Sequence, residues 1–312
     1  MSTGKRILVT GGAGSCGVFL TNSLLKQDYE VVIFDRDIES VKSIKNDRLT
    51  VVQGHLEDQD IVKTALEGVD AVVHLAWSFS TDPMEVLEKD LKGHIVLLEE
   101  MAEQNTGQLI YTSTAVVYGK PRYSPIDEEH PLIVEEARKP LYGIAKAAAE
   151  KLCLMYWKDR GLPATVIRFW WAFGDDIGGR HLREMLKTAA AGEPLEFPGD
   201  SGGSFLYLED FSQGVEKCLF SPSAYGQTFN LATVYVTWDE VAGIVREVTG
   251  STSEIRSIPS SKWKGSAFLA DPWELDDTLA RQLVGYSPTD PKEAKVLLKK
   301  AIAARWETMK TS

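Results

Sequence analysis

Tyr142 and Lys146 are four residues apart in Leu141–Lys158, a stretch whose Ala-rich composition predicts a helix. At that spacing the two side chains share one helix face. An ammonium beside a phenol favours the phenolate and lowers a pKa that is ordinarily about 10. A tyrosine so tuned can serve as acid and base near neutral pH. In an arbitrary helix the same spacing means only a solvated lysine one turn from a packed tyrosine. Two further features separate this chain from that case: a strand at Gln108–Tyr111 that runs into the hydroxyls of Ser113 and Thr114, and a glycine-rich turn near the start of the chain.

That turn lies in Ile7–Gly17, ILVTGGAGSCG. Ile7–Val9 is a short apolar run with the character of a buried strand, and Val18–Lys26 is predicted to be helical. Between them, Gly12, Gly14 and Gly17 satisfy G-x-G-x-x-G, and Gly11, Gly14 and Gly17 satisfy the variant spaced by three. Strand, glycine turn and helix together make a phosphate cradle: the turn brings backbone close to a pyrophosphate, which sits on the unpaired N–H groups of the helix start. A second apolar strand, Glu30–Phe34, ends in Asp35, 21 residues after Gly14. A carboxylate there accepts hydrogen bonds from the adenosine ribose hydroxyls and repels a 2′-phosphate, which favours NAD over NADP. Arg36, the next residue, is of the type that accommodates such a phosphate.

The elements that must position these groups follow in alternation. Ile38–Ile44 is expected as a short helix, Thr50–Gln53 as a third strand and Ile61–Leu66 as a helix. Asp70–Leu75 is expected as a fourth strand, and Met84–Glu103 as a long helix with Met84, Leu87, Leu91, Ile95 and Leu98 on its apolar face. Thr165–Phe169 is a sixth strand. This alternation predicts an α/β fold with a Rossmann-like, doubly wound parallel sheet. Ligands then collect beyond the carboxyl ends of the strands, where Gly11–Gly17 (with Ser15 and Cys16), Asp35, Leu75–Trp77 (with Ala76) and Ser113–Thr114 fall. His55 and Leu56, in Gly54–Asp58, take the adenine edge. Pro121–Pro140 is expected as surface loop, and Gly174–Arg180 and Glu193–Gly203 as loops around a helix at Leu182–Ala191. The division expected is a dinucleotide-binding domain over 1–170, rejoined by 205–235, with 171–204 and 236–312 forming a smaller C-terminal substrate domain.

A chain of 312 residues with 44% hydrophobic and 25% charged residues has the make-up of a soluble globular protein. Its net charge of −11 argues against nucleic acid as a partner. No apolar run is long enough to span a bilayer, and a strand starting at Ile7 leaves no room for a cleavable signal segment. The three cysteines, Cys16, Cys153 and Cys218, lack paired spacing, which suits a reducing cytoplasm. The histidines His55, His74, His94, His130 and His181 show no metal-ligand spacing, so no metal is expected. His181 is read as a surface histidine, with substrate contact as the alternative.

The ordered set TGGAGSCG (10–17), HLA (74–76), TSTAVVYG (112–119), PLYGIAK (140–146) and FLYLED (205–210) resembles the extended short-chain dehydrogenase/reductases. Within them it is similar to the NAD-dependent sugar epimerase/dehydratase group. The resemblance implies that Tyr142 exchanges a proton with the substrate oxygen, and that Lys146 holds the nicotinamide ribose and depresses the tyrosine pKa. It further implies that Thr114 hydrogen-bonds the reacting oxygen and that Ser113 sits beside the cofactor. It implies hydride transfer at a secondary alcohol or ketone of a sugar or nucleotide-sugar, either as an epimerase or as a net dehydrogenase or ketoreductase. A dinucleotide-sensing scaffold is the non-enzymatic alternative, and a homodimer through Met84–Glu103 and Leu141–Lys158 is expected from the same resemblance.

The chain also departs from that pattern. His55 stands for an aspartate, Asp90 for a helix asparagine, Trp171 for an asparagine, and Gly203 for the arginine that grips a nucleotide-sugar phosphate. Ala115–Val116 carry no acid, which argues against dehydration. Trp170 and Trp171 suggest an aromatic wall for the substrate or, equally, core packing, and Ser78 lies in the loop beside the expected pocket.

Overall fold

The computed structural model describes residues 4–311. In chain order its first part comprises β1 (Arg6–Thr10), α1 (Ser15–Lys26), β2 (Glu30–Asp35), β3 (Leu49–Gln53), α2 (Gln59–Ala65) and β4 (Ala71–His74). A long helical stretch follows as α3 (Pro83–Glu85), a π-helical turn over Val86–Leu91 and α4 (Lys92–Glu103). Then come β5 (Leu109–Thr112), α5 (Pro140–Arg160), β6 (Ala164–Arg168), β7 (Trp171–Phe173), α6 (Arg180–Ala190), β8 (Leu195–Phe197), β9 (Gly202–Tyr207) and α7 (Leu208–Cys218). The remainder is β10 (Thr228–Asn230), β11 (Val234–Thr237), α8 (Trp238–Thr249), β12 (Ile255–Ser257), α9 (Ala267–Ala270), β13 (Pro272–Trp273), α10 (Thr278–Val284) and α11 (Pro291–Thr311).

Seven strands form the main sheet in the order β3-β2-β1-β4-β5-β6-β10, every neighbour parallel. This is the doubly wound α/β arrangement expected from the sequence. Both faces are buried, and successive residues of a strand serve opposite faces. Ile7, Val9, Val31 and Val73 join the core under α1 and α7, while Leu8, Val32 and Val72 join the core under α2, α4 and α5. The strand order reverses between β1 and β4, and a crevice opens there beyond the carboxyl ends. β9 lies in a second sheet with β7, β11 and β13, and β8 pairs with β12. These smaller sheets pack with α6, α8 and α11 around a separate core containing Phe173, Phe197, Phe205 and Trp238. Among the described residues no helix is long and apolar enough to cross a membrane.

Four expectations need correction. Ile38–Ile44 contains only a single 3₁₀ turn, Glu39–Val41. Pro121–Pro140 is not wholly surface: Ile126 and His130 are buried, because the Ile126 N–H donates to Glu274 O (2.7 Å) and the Arg122 N–H to His130 Nε2 (2.8 Å). Glu193–Gly203 contains β8, whose Leu195 and Phe197 point inward on either side of exposed Glu196. In the long helix the inward face carries Val86, Asp90, His94 and Leu97, whereas Met84, Leu87 and Ile95 are exposed. The π turn inserts extra backbone and rotates the register, so part of the expected apolar face points outward.

Candidate active site

Expected cofactor residues Gly11, Gly14, Asp35, Arg36, His55, Leu56, Leu75, Ala76 and Trp77 line one cleft of about 230 Å³ at the strand reversal. Gly11 has φ +68°, and a Cβ there would stand 2.7 Å from Ala76 N; a Cβ on Gly17 would stand 2.3 Å from Gly11 O. No side chain caps α1, whose first turn, with Ser15, Cys16 and Gly17, carries no acid, so its free N–H groups face the cleft. Asp35 braces the turn, with Oδ2 accepting from the Ala13 N–H (3.0 Å) and Oδ1 from the Asp37 N–H (3.2 Å). A carboxylate has further lone pairs to offer a ribose. These residues fit a dinucleotide: glycines where a side chain cannot stand, an open helix start for the diphosphate, and a carboxylate at the end of β2. Burial pushes the Cys16 thiol up to about 11, so it fills space rather than reacting.

The chemical groups converge at the ends of β5 and β6. The Ser113 N–H donates to Ile167 O (2.6 Å) and the Ala115 N–H to Phe169 O (2.8 Å), fixing the intervening Thr114. Thr114 hydrogen-bonds the Tyr142 phenol. Pro140 opens α5, which places Tyr142 in its first turn and Lys146 one turn further in. The Lys146 Nζ donates to Thr112 O (2.8 Å) and lies 4.1 Å from the Trp77 ring centre and 4.7 Å from that of Tyr111. The Ser113 hydroxyl is buried with no partner among the described residues, a group left for a ligand.

The electrostatics differ from the expectation that Lys146 depresses the phenol. Burial pushes Tyr142 up to about 12; the Thr114 hydrogen bond opposes that rise and the Asp90 charge adds to it. Lys146 is not among the groups acting on it, because the amine is turned to Thr112 O. Burial itself holds the amine down to about 7, against the pull of Asp90 and Glu150.

Phe79, unnamed in the loop that sequence reasoning set beside the pocket, and Asp90, which it did not place here, complete this end of the cleft. Asp90 sits in the π turn, and its carboxylate accepts both the Ser78 N–H and the Ser78 hydroxyl at 2.7 Å. Burial raises its pKa and the Ser78 bonds oppose that rise. The clamp holds a turn in which Phe79 adopts φ +56°, a conformation strained for a bulky residue. Phe79 stacks on Tyr142 (5.6 Å, 27°), while Trp77 meets the same phenol edge-on (6.5 Å). The signal in the sequence was an acid standing where the resemblance expects an asparagine.

The two tryptophans after β6 divide their roles. Trp171 stacks on Phe205 (5.5 Å) and donates from Nε1 to Gly178 O (3.1 Å), which is packing. Trp170 stacks on Phe268 (4.9 Å, 12°) and fills the space over Gly203, where a Cβ would stand 2.2 Å from its ring. His181 is not a plain surface residue, since it stacks on Phe268 as well (5.2 Å, 14°).

The profile of the family described as NAD dependent epimerase/dehydratase matches residues 7–232. A UDP-glucose 4-epimerase of Lactobacillus helveticus is 30% identical, the match covering 96% of this chain and 96% of that protein. An uncharacterized UDP-glucose epimerase of Bacillus subtilis (strain 168) is 26% identical over 91% of this chain and 93% of its own length. A UDP-N-acetylglucosamine 4-epimerase from Methanobrevibacter ruminantium M1 shares the fold at a TM-score of 0.79, with 20% identity and coverage of 99% and 100%. With a glycine cradle built for a dinucleotide and a family profile spanning the whole main sheet, the chain belongs to the NAD-dependent epimerase/dehydratase family.

Proposed function

We propose that this enzyme interconverts epimers of a nucleotide-sugar at a secondary carbinol, retaining its NAD through the cycle. The observation that carries the reading is the Thr114–Tyr142 hydrogen bond beside buried Lys146, next to Trp77 and Phe79, which line the glycine-walled cleft. NAD supplies the hydride acceptor and donor. Tyr142 takes the proton of the carbinol and returns it, Thr114 orients the same oxygen, and Lys146 holds a ribose hydroxyl. Ser113 offers its unpaired hydroxyl beside them, and Trp77 and Phe79 keep water from the phenol. Residues 171–204 and 236–312 supply the substrate side, and 1–170 with 205–235 the cofactor side.

A second reading, net dehydrogenation or ketone reduction of a sugar-like or aromatic substrate, draws support from Trp170 standing over Gly203. Incubation with UDP-glucose and related sugars separates the two: isomers form without change in NADH absorbance under the first reading, and NADH accumulates or disappears under the second. The exposed Met84, Leu87 and Ile95 on one helical stretch and Ile144 and Met155 on α5 support a homodimer through these two helices. The unpaired cysteines support a cytoplasmic location.

A further inference from the structure

We propose that Asp90 sets the redox poise of the bound dinucleotide, its carboxylate favouring the cationic, oxidised nicotinamide over the neutral, reduced one. The inference rests on the reading above, in which the nicotinamide lies at the Tyr142 end of the cleft, and adds to it the residue that tunes the ring.

Asp90 is 6% exposed and lines the cleft with Trp77, Ser78 and Phe79. Those neighbours place it at the chemical end, since Phe79 stacks on Tyr142 (5.6 Å) and Trp77 meets that ring edge-on (6.5 Å). The Ser78 N–H and hydroxyl both donate to the carboxylate, and neither bond needs its charge. An amide of the same shape would accept the N–H through its oxygen and donate to the hydroxyl oxygen through its nitrogen. The resemblance expects that amide here, so the clamp alone does not account for an acid.

The charge is also poorly offset from within the protein. Among the described residues Asp90 forms no ion pair, whereas its acidic neighbours do: Glu85 pairs with Lys89 (2.5 Å) and Glu150 with Arg168 (2.7 Å). The cation that acts on Asp90 is Lys146, which donates instead to Thr112 O (2.8 Å) and whose amine burial holds down to about 7. His94, the next inward side chain of the same helical face, is kept neutral by burial. A buried carboxylate short of counter-charge is destabilised until a cation joins it. The oxidised nicotinamide is such a cation; the reduced ring is not, because the hydride it has taken up cancels the charge. Away from bulk water that attraction is weakly screened. Asp90 therefore strengthens NAD⁺ relative to NADH and makes the bound cofactor a milder oxidant. A milder oxidant gives its hydride back more readily, as an enzyme that retains its cofactor through the cycle must do.

The test is calorimetric titration of NAD⁺, NADH and ADP-ribose into the full chain freed of nucleotide, as wild type, Asp90→Asn and Ser78→Ala. ADP-ribose, which lacks the nicotinamide, reports that the cradle is folded. Asp90→Asn is expected to lower the preference for NAD⁺ over NADH by about 5- to 20-fold, equivalent to a rise of about 20–40 mV in the bound two-electron potential, with ADP-ribose held as in wild type. Ser78→Ala, which loosens the clamp and keeps the charge, should leave the preference unchanged. A folded Asp90→Asn with the wild-type preference, or a loss shared equally by ADP-ribose, overturns the role of Asp90 alone. So does a Ser78→Ala variant whose preference falls as far as that of Asp90→Asn. Wild type that binds none of the three overturns the reading of the cleft and this inference together.

Discussion

The two ends of the cleft are built on different principles. At the cofactor end the critical contacts fall on backbone: Gly17 packs against Gly11, Gly11 packs against Ala76, and the Ala13 N–H donates to the Asp35 carboxylate. At the other end the contacts are between side chains from distant segments, with Phe79 stacked on Tyr142 and Trp170 on Phe268. The first end is defined by the absence of side chains and tolerates no change. The second is a mosaic of side chains brought together from distant parts of the chain. Binding of a shared cofactor can therefore stay fixed within such a fold while substrate contacts are rearranged.

The contrast sets the order of expected effects. Gly17→Ala places a methyl group 2.3 Å from a carbonyl oxygen, so it should abolish NAD binding in titrations and lower the melting temperature; an intact affinity would show that the cradle is looser than drawn. Asp35→Ala should cost NAD about 10- to 100-fold in affinity and narrow the preference over NADP, as expected for the loss of charge-assisted hydrogen bonds. Fluorescence titrations with both dinucleotides read this directly.

Asp90→Ala, at the boundary between the two ends, should cost about tenfold in turnover. It unpairs Ser78 and releases a turn strained by roughly 1–2 kcal/mol at Phe79. Losing the ring and the negative charge both lower the phenol pKa, so the ascending limb of the pH–rate profile, where the phenol ionises to take the carbinol proton, should move to lower pH. Asp90→Asn, which keeps an acceptor for Ser78, should restore most of the turnover; failure to do so would mean that the charge rather than the clamp matters.

A separate effect, on neither turnover nor affinity, is on stability. Burial lowers Lys146 to about 7 in the folded chain from an ordinary 10.5, so over that window the unfolded chain holds one more proton. Stability should rise with pH by at most about 1.4 kcal/mol per unit between pH 7 and 10.5, relative to Lys146→Met, and the difference should level off below pH 7. Urea unfolding of the two proteins at several pH values checks the slope and its sign.

The same division explains what could be read from the sequence. The main sheet and the residues gathered around the cleft were legible because glycine spacing, a strand-terminal Asp35 and a YxxxK helix are local signals whose meaning follows from backbone geometry. Asp90 was visible only as a departure from pattern, because its role depends on a π turn that no local propensity announces. Phe79 and Phe268 looked like ordinary apolar residues, and their partners, Tyr142 and Trp170, lie far along the chain. Periodicity alone also misplaced the outward face of the long helix, where Met84 and Leu87 are apolar yet exposed. β8 could have been found from its alternation of Leu195, Glu196 and Phe197.

The most direct test of the account is turnover of Tyr142→Phe alongside its affinity for NAD. Removing one oxygen should slow the reaction by about 10²- to 10⁴-fold, as loss of a positioned acid–base group does, while NAD binds as in wild type. A variant that turns over at the wild-type rate would contradict the role of the phenol and, with it, the proposed chemistry of the cleft.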